Sequence, residues 1–180
     1  MKRFIALLRG INVSGQKKIK MSELKTLFEN LGFQSVETYI QSGNVIFSAK
    51  AKSVTSLTSI IMYGIKNKFQ FDVQVIILSP QEIDLALRNN PFIKKKKEIE
   101  RLYTMFLSTK PSIEYVKKLN ETDFSPEEYF INRKFIYLFF PNGAGKAKLN
   151  NNYIENKLKV TGTTRNWKTL TALSELVKAH

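Results

Sequence analysis

The residues best suited to chemistry lie in a basic loop near the start of the chain. Residues 9–18 read RGINVSGQKK, which combines two glycines with three cationic side chains. A loop of this kind between a strand and a helix is the usual place for a phosphate. The two glycines have the spacing of a P-loop, but Gln16 and Lys17 stand where that motif needs Lys and then Ser or Thr. Two interpretations remain: an anion held by Arg9, Lys17 and loop amides, or a flexible connection with solvated lysines.

A second candidate region lies in the C-terminal part of the chain. Residues 133–168 carry eight Lys or Arg against one acidic residue. This local excess of positive charge is half of the net charge of +14 of the whole chain. Among them are Lys146, in a glycine-containing loop, and Arg165, whose planar guanidinium suits bidentate phosphate or carboxylate binding. Asn166 is predicted to cap the helix that follows. This distribution favours a partner with negative charge.

The polar turn QSGN at residues 41–44 supplies two further candidates, Ser42 and Asn44. Small polar residues in a hairpin turn need no function. In a split βαβ sheet, however, the first and third strands are adjacent, so the loop after the first strand and the turn before the third can approach each other. We therefore treat Ser42 and Asn44 as possible partners of the loop at residues 9–18.

Composition excludes several classes of function. The 180 residues contain no Cys and a single His, His180 at the end of the sequence. A disulfide framework, a thiol nucleophile and a Cys-based zinc site are thereby excluded, and a His general base or His metal ligand is not expected. No apolar run is long enough for a signal peptide or a membrane span, so we expect a cytoplasmic protein with no membrane partner. The four lysines at residues 94–97 are typical of a solvated loop.

The order of elements predicts an α+β protein built from two ferredoxin-like (split βαβ) subdomains in tandem. Residues 1–79 read as strand, helix, strand, strand, helix, strand, and residues 100–180 nearly repeat this order. The expected link is a helix and a basic loop over residues 80–99, in which Ser79 and Glu82 form a capping box. The second copy is predicted to lack its last strand and to end instead in a helix over residues 167–177.

An RNA-recognition motif shares this plan but is disfavoured. Its central strands need exposed aromatic residues within a glycine-aromatic signature, whereas residues 4–8 are aliphatic after Phe4 and residues 42–47 read SGNVIF. No pair of carboxylates suited to acid–base catalysis stands out either.

Three sequence segments together indicate a family resemblance: ALLRGINVSG at residues 6–15, YIQSGNVIF at residues 39–47 and TTRNWKT at residues 163–169. On these segments the chain resembles the bacterial domain-of-unknown-function family 1697 over nearly its whole length. The resemblance implies an α+β fold of two subdomains related to the ferredoxin-like plan and implies no known activity. It also implies motif candidates without roles: Arg9, Asn12, Ser42, Asn44, Arg165 and Asn166. The chain has Ser14 where the family usually has Gly. It has Ala147 where the family often has Ser, and this second difference weakens any proposal of a catalytic hydroxyl at position 147.

Three hypotheses follow. The first is a binding module for an anionic partner, either nucleic acid or a phosphorylated small molecule, which uses Arg9, Lys17, Lys146 and Arg165 for charge. The second is an enzyme for a small anionic substrate in a cleft between the subdomains, with Arg9 and Arg165 as clamps. The third assigns the motifs to turns and caps that specify the fold. The sequence leaves the cofactor and the oligomeric state open.

Overall fold

The computed structural model describes residues 1–13, 15–50 and 53–179. Ser14 and His180, which enter the sequence analysis, lie outside the described residues. The strands are β1 (Lys2–Leu8), β2 (Gln34–Tyr39), β3 (Asn44–Ala49), β4 (Val75–Leu78), β5 (Leu102–Leu107), β6 (Glu128–Asn132), β7 (Phe135–Phe139) and β8 (Gly162–Asn166). The α-helices are α1 (Met21–Asn30), α2 (Val54–Phe69), α3 (Pro80–Arg88), α4 (Pro91–Lys94), α5 (Ile113–Asn120), α6 (Asn151–Leu158) and α7 (Trp167–Lys178).

The eight strands form two four-stranded sheets, with the orders β2-β3-β1-β4 and β6-β7-β5-β8. Every pair of neighbouring strands is antiparallel. Each sheet has the strand order of the ferredoxin-like plan and carries two helices in the split βαβ sequence. The predicted fold class, α+β with two tandem ferredoxin-like subdomains, is therefore confirmed.

One part of that prediction is wrong, because the second copy has its fourth strand. The strand β8 pairs with β5 from Tyr103 opposite Asn166 to Leu107 opposite Gly162. Its sequence, GTTRN, has no apolar alternation, so it reads as a polar approach to the following helix. It pairs with β5 at the edge of the sheet, and Gly162 lies so close to Met105 that a Cβ atom there would collide. The helix α7 then follows as an additional element.

The chain divides into two compact units, one made of residues 1–84 with the residues from 172 onward, the other of residues 85–171. The boundaries predicted from the sequence (1–79, 80–99 and 100–180) stay a prediction. Within the first unit, Asp84 accepts a hydrogen bond of 2.8 Å from Ser174 and forms an ion pair of 2.7 Å with Lys178.

Aromatic residues of β1, β3 and α1 pack together in the core of the first unit. Phe4 of β1 and Phe47 of β3 lie with Phe28 of α1 in one buried cluster. Phe47 contacts Phe4, Phe28 and Phe33 at ring-centroid distances of 5.7, 5.4 and 4.7 Å. The aromatic residues of the two central strands are therefore inside the core, where they cannot stack on nucleic-acid bases.

The sheet of the second unit has one face covered by helices. Met105, Ile136 and Leu138 point to this face and lie in one cluster with Leu119 of α5 and Ile154 of α6. Because side chains alternate along a strand, Thr104 and Tyr137 point to the opposite face.

Candidate functional site

The loop after β1 and the turn before β3 lie against each other in the first unit. The main-chain N–H of Leu8 donates to the oxygen of Gly43 at 2.8 Å. The side-chain amide of Asn12 donates to the main-chain oxygen of Gln41 at 2.9 Å. The proximity expected from the split βαβ topology is therefore present.

Asn12 fixes the shape of this loop. Its backbone has a φ of 55°, in the left-handed region that Asn tolerates better than most residues. Its Nδ2 donates a second hydrogen bond of 2.9 Å to the oxygen of Ile19, and its Oδ1 accepts one of 2.8 Å from the Ile19 N–H. Both amide hydrogens are thus used within the protein, which gives Asn12 a positioning role.

Ser42 and Asn44 fix the turn in a similar way. Asn44 is buried, and its Nδ2 donates to the oxygen of Tyr39 and to Oγ of Ser42, both at 3.0 Å. Gly43, between them, has a φ of 77°, and a Cβ atom there would lie 2.8 Å from both Leu8 and Ile11. The turn is shaped to receive the loop.

Arg9 and Lys17 connect the same loop to the segment before β4. The main-chain N–H of Arg9, a half-buried residue, donates to the oxygen of Gln74 at 2.9 Å. The Lys17 ammonium donates to the oxygen of Asp72 at 2.6 Å. The ammonium of Lys17 therefore has a partner within the protein.

An open depression of about 590 Å³ lies where this loop leads into α1. It is lined by Asn12, Lys18, Ile19, Lys20, Met21, Ser22, Glu23 and Gln41. Lys20 precedes α1 in an extended conformation and provides no side-chain cap for the first-turn amides. Lys18 and Lys20 are exposed on either side of the buried Ile19.

Sequence reasoning missed Lys20 and Gln41 as site residues. Lys20 could have been found from the alternation Lys18-Ile19-Lys20, because the neighbours of a buried apolar residue in an extended segment point to the solvent.

In the second unit, Arg165 lies on β8 and is only 7% exposed. Its Nη1 donates to Oγ1 of Thr163 at 2.8 Å and to the oxygen of Thr164 at 2.9 Å. Burial lowers the pKa of the guanidinium to about 10, so it remains charged at neutral pH. The neighbouring Asn166 accepts a hydrogen bond of 2.8 Å from the Thr169 N–H and so caps α7, as predicted.

Lys146 is exposed and ends a short 3-10 turn, Ala144–Lys146. The carboxylate of Glu127 accepts hydrogen bonds from the N–H groups of Lys148 (2.8 Å) and Leu149 (2.9 Å) and so anchors the segment after this turn. Lys146 thus projects from a fixed part of the chain.

The lysine run at residues 94–97 is not wholly solvated. Lys97 and Lys95 pair with Glu128 at 2.5 and 3.6 Å, and Lys97 also lies 4.6 Å from the ring centroid of Phe139. The hydrogen bond from Lys97 holds the pKa of Glu128 below its usual value. This part of the run is a structural contact of the second unit.

The candidates thus fall into two groups. Arg9, Asn12, Lys17, Ser42 and Asn44 belong to the loop and turn of the first unit, and Lys146, Arg165 and Asn166 belong to the second unit. The enzyme hypothesis, with a cleft between subdomains, stays a prediction. In residues 1–13, 15–50 and 53–179, no three acidic or His side chains are grouped so that they could hold a metal ion. In the same residues, no helix has both the length and the apolar character that crossing a membrane requires.

Comparison with known proteins agrees with this architecture. The family described as "Protein of unknown function (DUF1697)" matches residues 1–137, and the chain belongs to this family. The fold is also similar to that of the conserved bacterial protein SP0830 from Streptococcus pneumoniae, with a TM-score of 0.79 and 25% sequence identity over 99% of both chains. No curated protein matches the chain.

Proposed function

We propose that the protein is a binding module for an anionic partner, and that this partner is a small phosphorylated molecule bound in the depression at the start of α1. One observation carries the proposal. The first turn of α1 opens, without a side-chain cap, into a depression flanked by Lys18 and Lys20.

The electrostatics of this place favour a phosphate group. The unpaired N–H groups of a helix start carry partial positive charge and donate directly to an anion. The exposed ammonium groups of Lys18 and Lys20 add positive charge beside these N–H groups. The net charge of +14 also attracts anions from solution. Glu23 is the acidic residue among the lining side chains and opposes binding.

The dimensions favour a small ligand. A volume of about 590 Å³ lies within the ordinary range of small-molecule sites. The hydrogen bonds of Asn12 to Ile19 and Gln41 hold the wall in place before a ligand arrives, which lowers the entropic cost of binding. Nucleic acid is less favoured, because Phe4 and Phe47 are buried and offer no stacking surface on β1 and β3.

The experiment is isothermal titration calorimetry with inorganic pyrophosphate, with AMP, and with single-stranded RNA and DNA oligonucleotides. We expect saturable binding of pyrophosphate or AMP with a stoichiometry of about one per chain and a weak dependence on salt. Oligonucleotide binding that falls steeply with salt, without binding of the small phosphates, would replace this proposal by a nucleic-acid surface. No binding of any of these probes would refute it.

A further inference from the structure

The strand β6 lies at an edge of the sheet in the second unit and has β7 as its neighbour. Main-chain hydrogen bonds alternate along an antiparallel pair, so at every second residue of β6 the N–H and C=O groups point away from β7. Such a row of groups is a template on which an extended peptide adds a strand. Phe130, in the middle of β6, is 49% exposed, so solvent reaches this strand.

An open depression of about 520 Å³ lies beside this strand. It is lined by Glu128–Ile131 of β6, by Val116 and Asn120 of α5, and by residues of the segment that joins the two elements. We call it the β6 groove. When a peptide adds to a sheet edge, main-chain hydrogen bonds give affinity and pockets for alternate side chains give specificity. The β6 groove is placed where such a side-chain pocket is needed.

The β6 groove has an aromatic wall that is held in place by contacts within the second unit. The rings of Phe124 and Tyr129 meet edge to face with their centroids 5.9 Å apart, and Phe124 contacts Tyr153 in the same way at 5.5 Å. The Tyr129 hydroxyl donates to Oδ1 of Asn120 at 2.6 Å. A preformed wall lowers the entropic cost of binding. Aromatic rings of this kind pack against the aliphatic stem of Lys or Arg and attract its charge.

The charged residues of the lining are Asp123, Glu127 and Glu128, all acidic. Two lysines of the run at residues 94–97 pair with Glu128 and compensate for its charge. The Asp123 carboxylate instead accepts hydrogen bonds from the N–H and hydroxyl of Ser125, at 2.9 and 2.7 Å. Glu127 accepts from two main-chain N–H groups. Because these donors are neutral, both carboxylates keep their negative charge for a cationic side chain.

Asp123 is ionised at neutral pH. The hydrogen bonds from Ser125 hold its pKa below the usual value, and the attraction of Lys148 contributes least to this shift. The net charge of +14 opposes a basic ligand at long range, but salt at 0.1 M screens exposed charges beyond about 10 Å. The carboxylates of the β6 groove therefore dominate the field that a peptide meets there.

We propose that the β6 groove binds an extended peptide that adds a strand to β6 and places a Lys or Arg side chain against the aromatic wall, near Asp123 and Glu127. A second copy of this chain fits less well. Pairing through β6 of both copies would bring the same acidic grooves together, and two molecules with a charge of +14 repel each other. The proposal goes beyond the phosphate site at α1 and does not depend on it.

The test is an NMR titration of the full chain with the capped peptides VKVKV, VTVTV and VEVEV. We expect saturable shifts of the backbone amides of residues 123–132 with VKVKV, weaker binding of VTVTV and the weakest binding of VEVEV. Absence of these shifts with VKVKV, or equal affinity for VEVEV, would overturn the proposal. Shifts of the same amides with rising protein concentration, before any peptide is added, would replace the peptide by a second copy.

Two N-methylated forms of VKVKV test the main-chain pairing. One carries methyl groups on the first, third and fifth nitrogens, and the other on the second and fourth. Because alternate N–H groups of an added strand face β6, one form should lose affinity by about tenfold and the other should bind like the parent peptide. Equal affinities of the two forms would contradict strand addition.

A pair of variants tests the charge. Asp123→Asn keeps an acceptor for Ser125 and should weaken the binding of VKVKV about two- to fivefold, with no change for VTVTV. Glu29→Gln removes an exposed carboxylate of the first unit and should leave both affinities unchanged. The amide spectrum of each variant shows whether it is folded. An equal affinity of the two variants for VKVKV would show that the acidic lining does not select the peptide.

Discussion

The side-chain amide of Asn12 donates a 2.9 Å hydrogen bond to the main-chain oxygen of Gln41 and thereby joins the loop after β1 to the hairpin turn before β3. The same side chain holds Ile19, the buried residue between Lys18 and Lys20. A single asparagine thus sets the position of the two lysines beside the start of α1. The distinctive residues of the loop thus brace the proposed site, where we expect the main-chain amides and the two lysines to contact a ligand.

Asn12→Ala should lower the free energy of unfolding by about 1–3 kcal/mol, because the oxygens of Ile19 and Gln41 and the Ile19 N–H lose their partner. Urea denaturation measures this loss. Asn67→Ala, at an exposed position of α2, is the matched control and should change stability by about 0.5 kcal/mol or less. If Asn12→Ala were no more harmful than the control, the bracing role would be wrong.

Gly43→Ala and Gly10→Ala form a pair that separates backbone strain from steric conflict. Both glycines have a positive φ, 77° and 68°. An added Cβ would meet Leu8 and Ile11 at 2.8 Å in the first case and nothing within 4 Å in the second. We expect a loss of about 1 kcal/mol for Gly10→Ala, from strain alone, and about 1–3 kcal/mol more for Gly43→Ala. Equal losses in thermal denaturation would contradict the close packing of the turn on the loop.

Tyr137 should make the protein sensitive to alkali. Its folded-state pKa of about 12 lies above the ordinary value of 10, so the stability it contributes is fully present below pH 10 and is lost as the pH rises from 10 to 12. Arg165, whose pKa is lowered to about 10, changes the free energy of unfolding in the opposite direction over a similar pH range. The contribution of Tyr137 is therefore isolated by comparing the parent protein with Tyr137→Phe. Tyr137→Phe should lose less stability than the parent over this range, by on the order of 1–2 kcal/mol. Parallel stability curves against pH would argue against the burial of this phenol.

Asn166→Ala should remove the cap of α7 and cost about 1 kcal/mol, because the Thr169 N–H loses its acceptor. Asn166→Asp should restore most of this stability, since a carboxylate accepts the same hydrogen bond and suits the helix start. Asn142→Ala, in an exposed turn, provides the control. A cost for Asn142→Ala as large as that for Asn166→Ala would show that the cap contributes nothing specific.

Much of the fold could be predicted from periodicity. The buried run that became β1 and the helical spacing of Leu24, Leu27 and Phe28 in α1 depend on local apolar patterns. The strand β8 could not, because its polar sequence forms a strand only through its pairing with β5 and the close packing of Gly162 on Met105. Topology also predicted the meeting of loop and turn, since it requires only that β1 and β3 be neighbours.

The roles of the site residues were harder to predict. Asn12 and Lys17 are polar residues of a glycine-containing loop, a pattern that fits ligand binding and loop bracing equally well. Their partners, Gln41 and Asp72, lie 29 and 55 residues away in the chain, and the sequence has no local signal for such contacts. The position of Arg165 beside Thr104 depends on the register of β5 and β8, which becomes defined only when the sheet forms.

The most direct test of the phosphate site is an NMR titration with inorganic pyrophosphate that follows the backbone amides. We expect saturable shifts centred on the first-turn amides of α1, from Met21 to Glu23, since the Leu24 N–H already donates to the oxygen of Lys20. Affinity should be about tenfold lower in Lys18→Ala/Lys20→Ala, higher in Glu23→Gln, and unchanged in Lys110→Ala/Lys117→Ala, which removes two exposed charges elsewhere. Saturable shifts confined to other parts of the chain, or equal affinity in the two double variants, would contradict the proposed site.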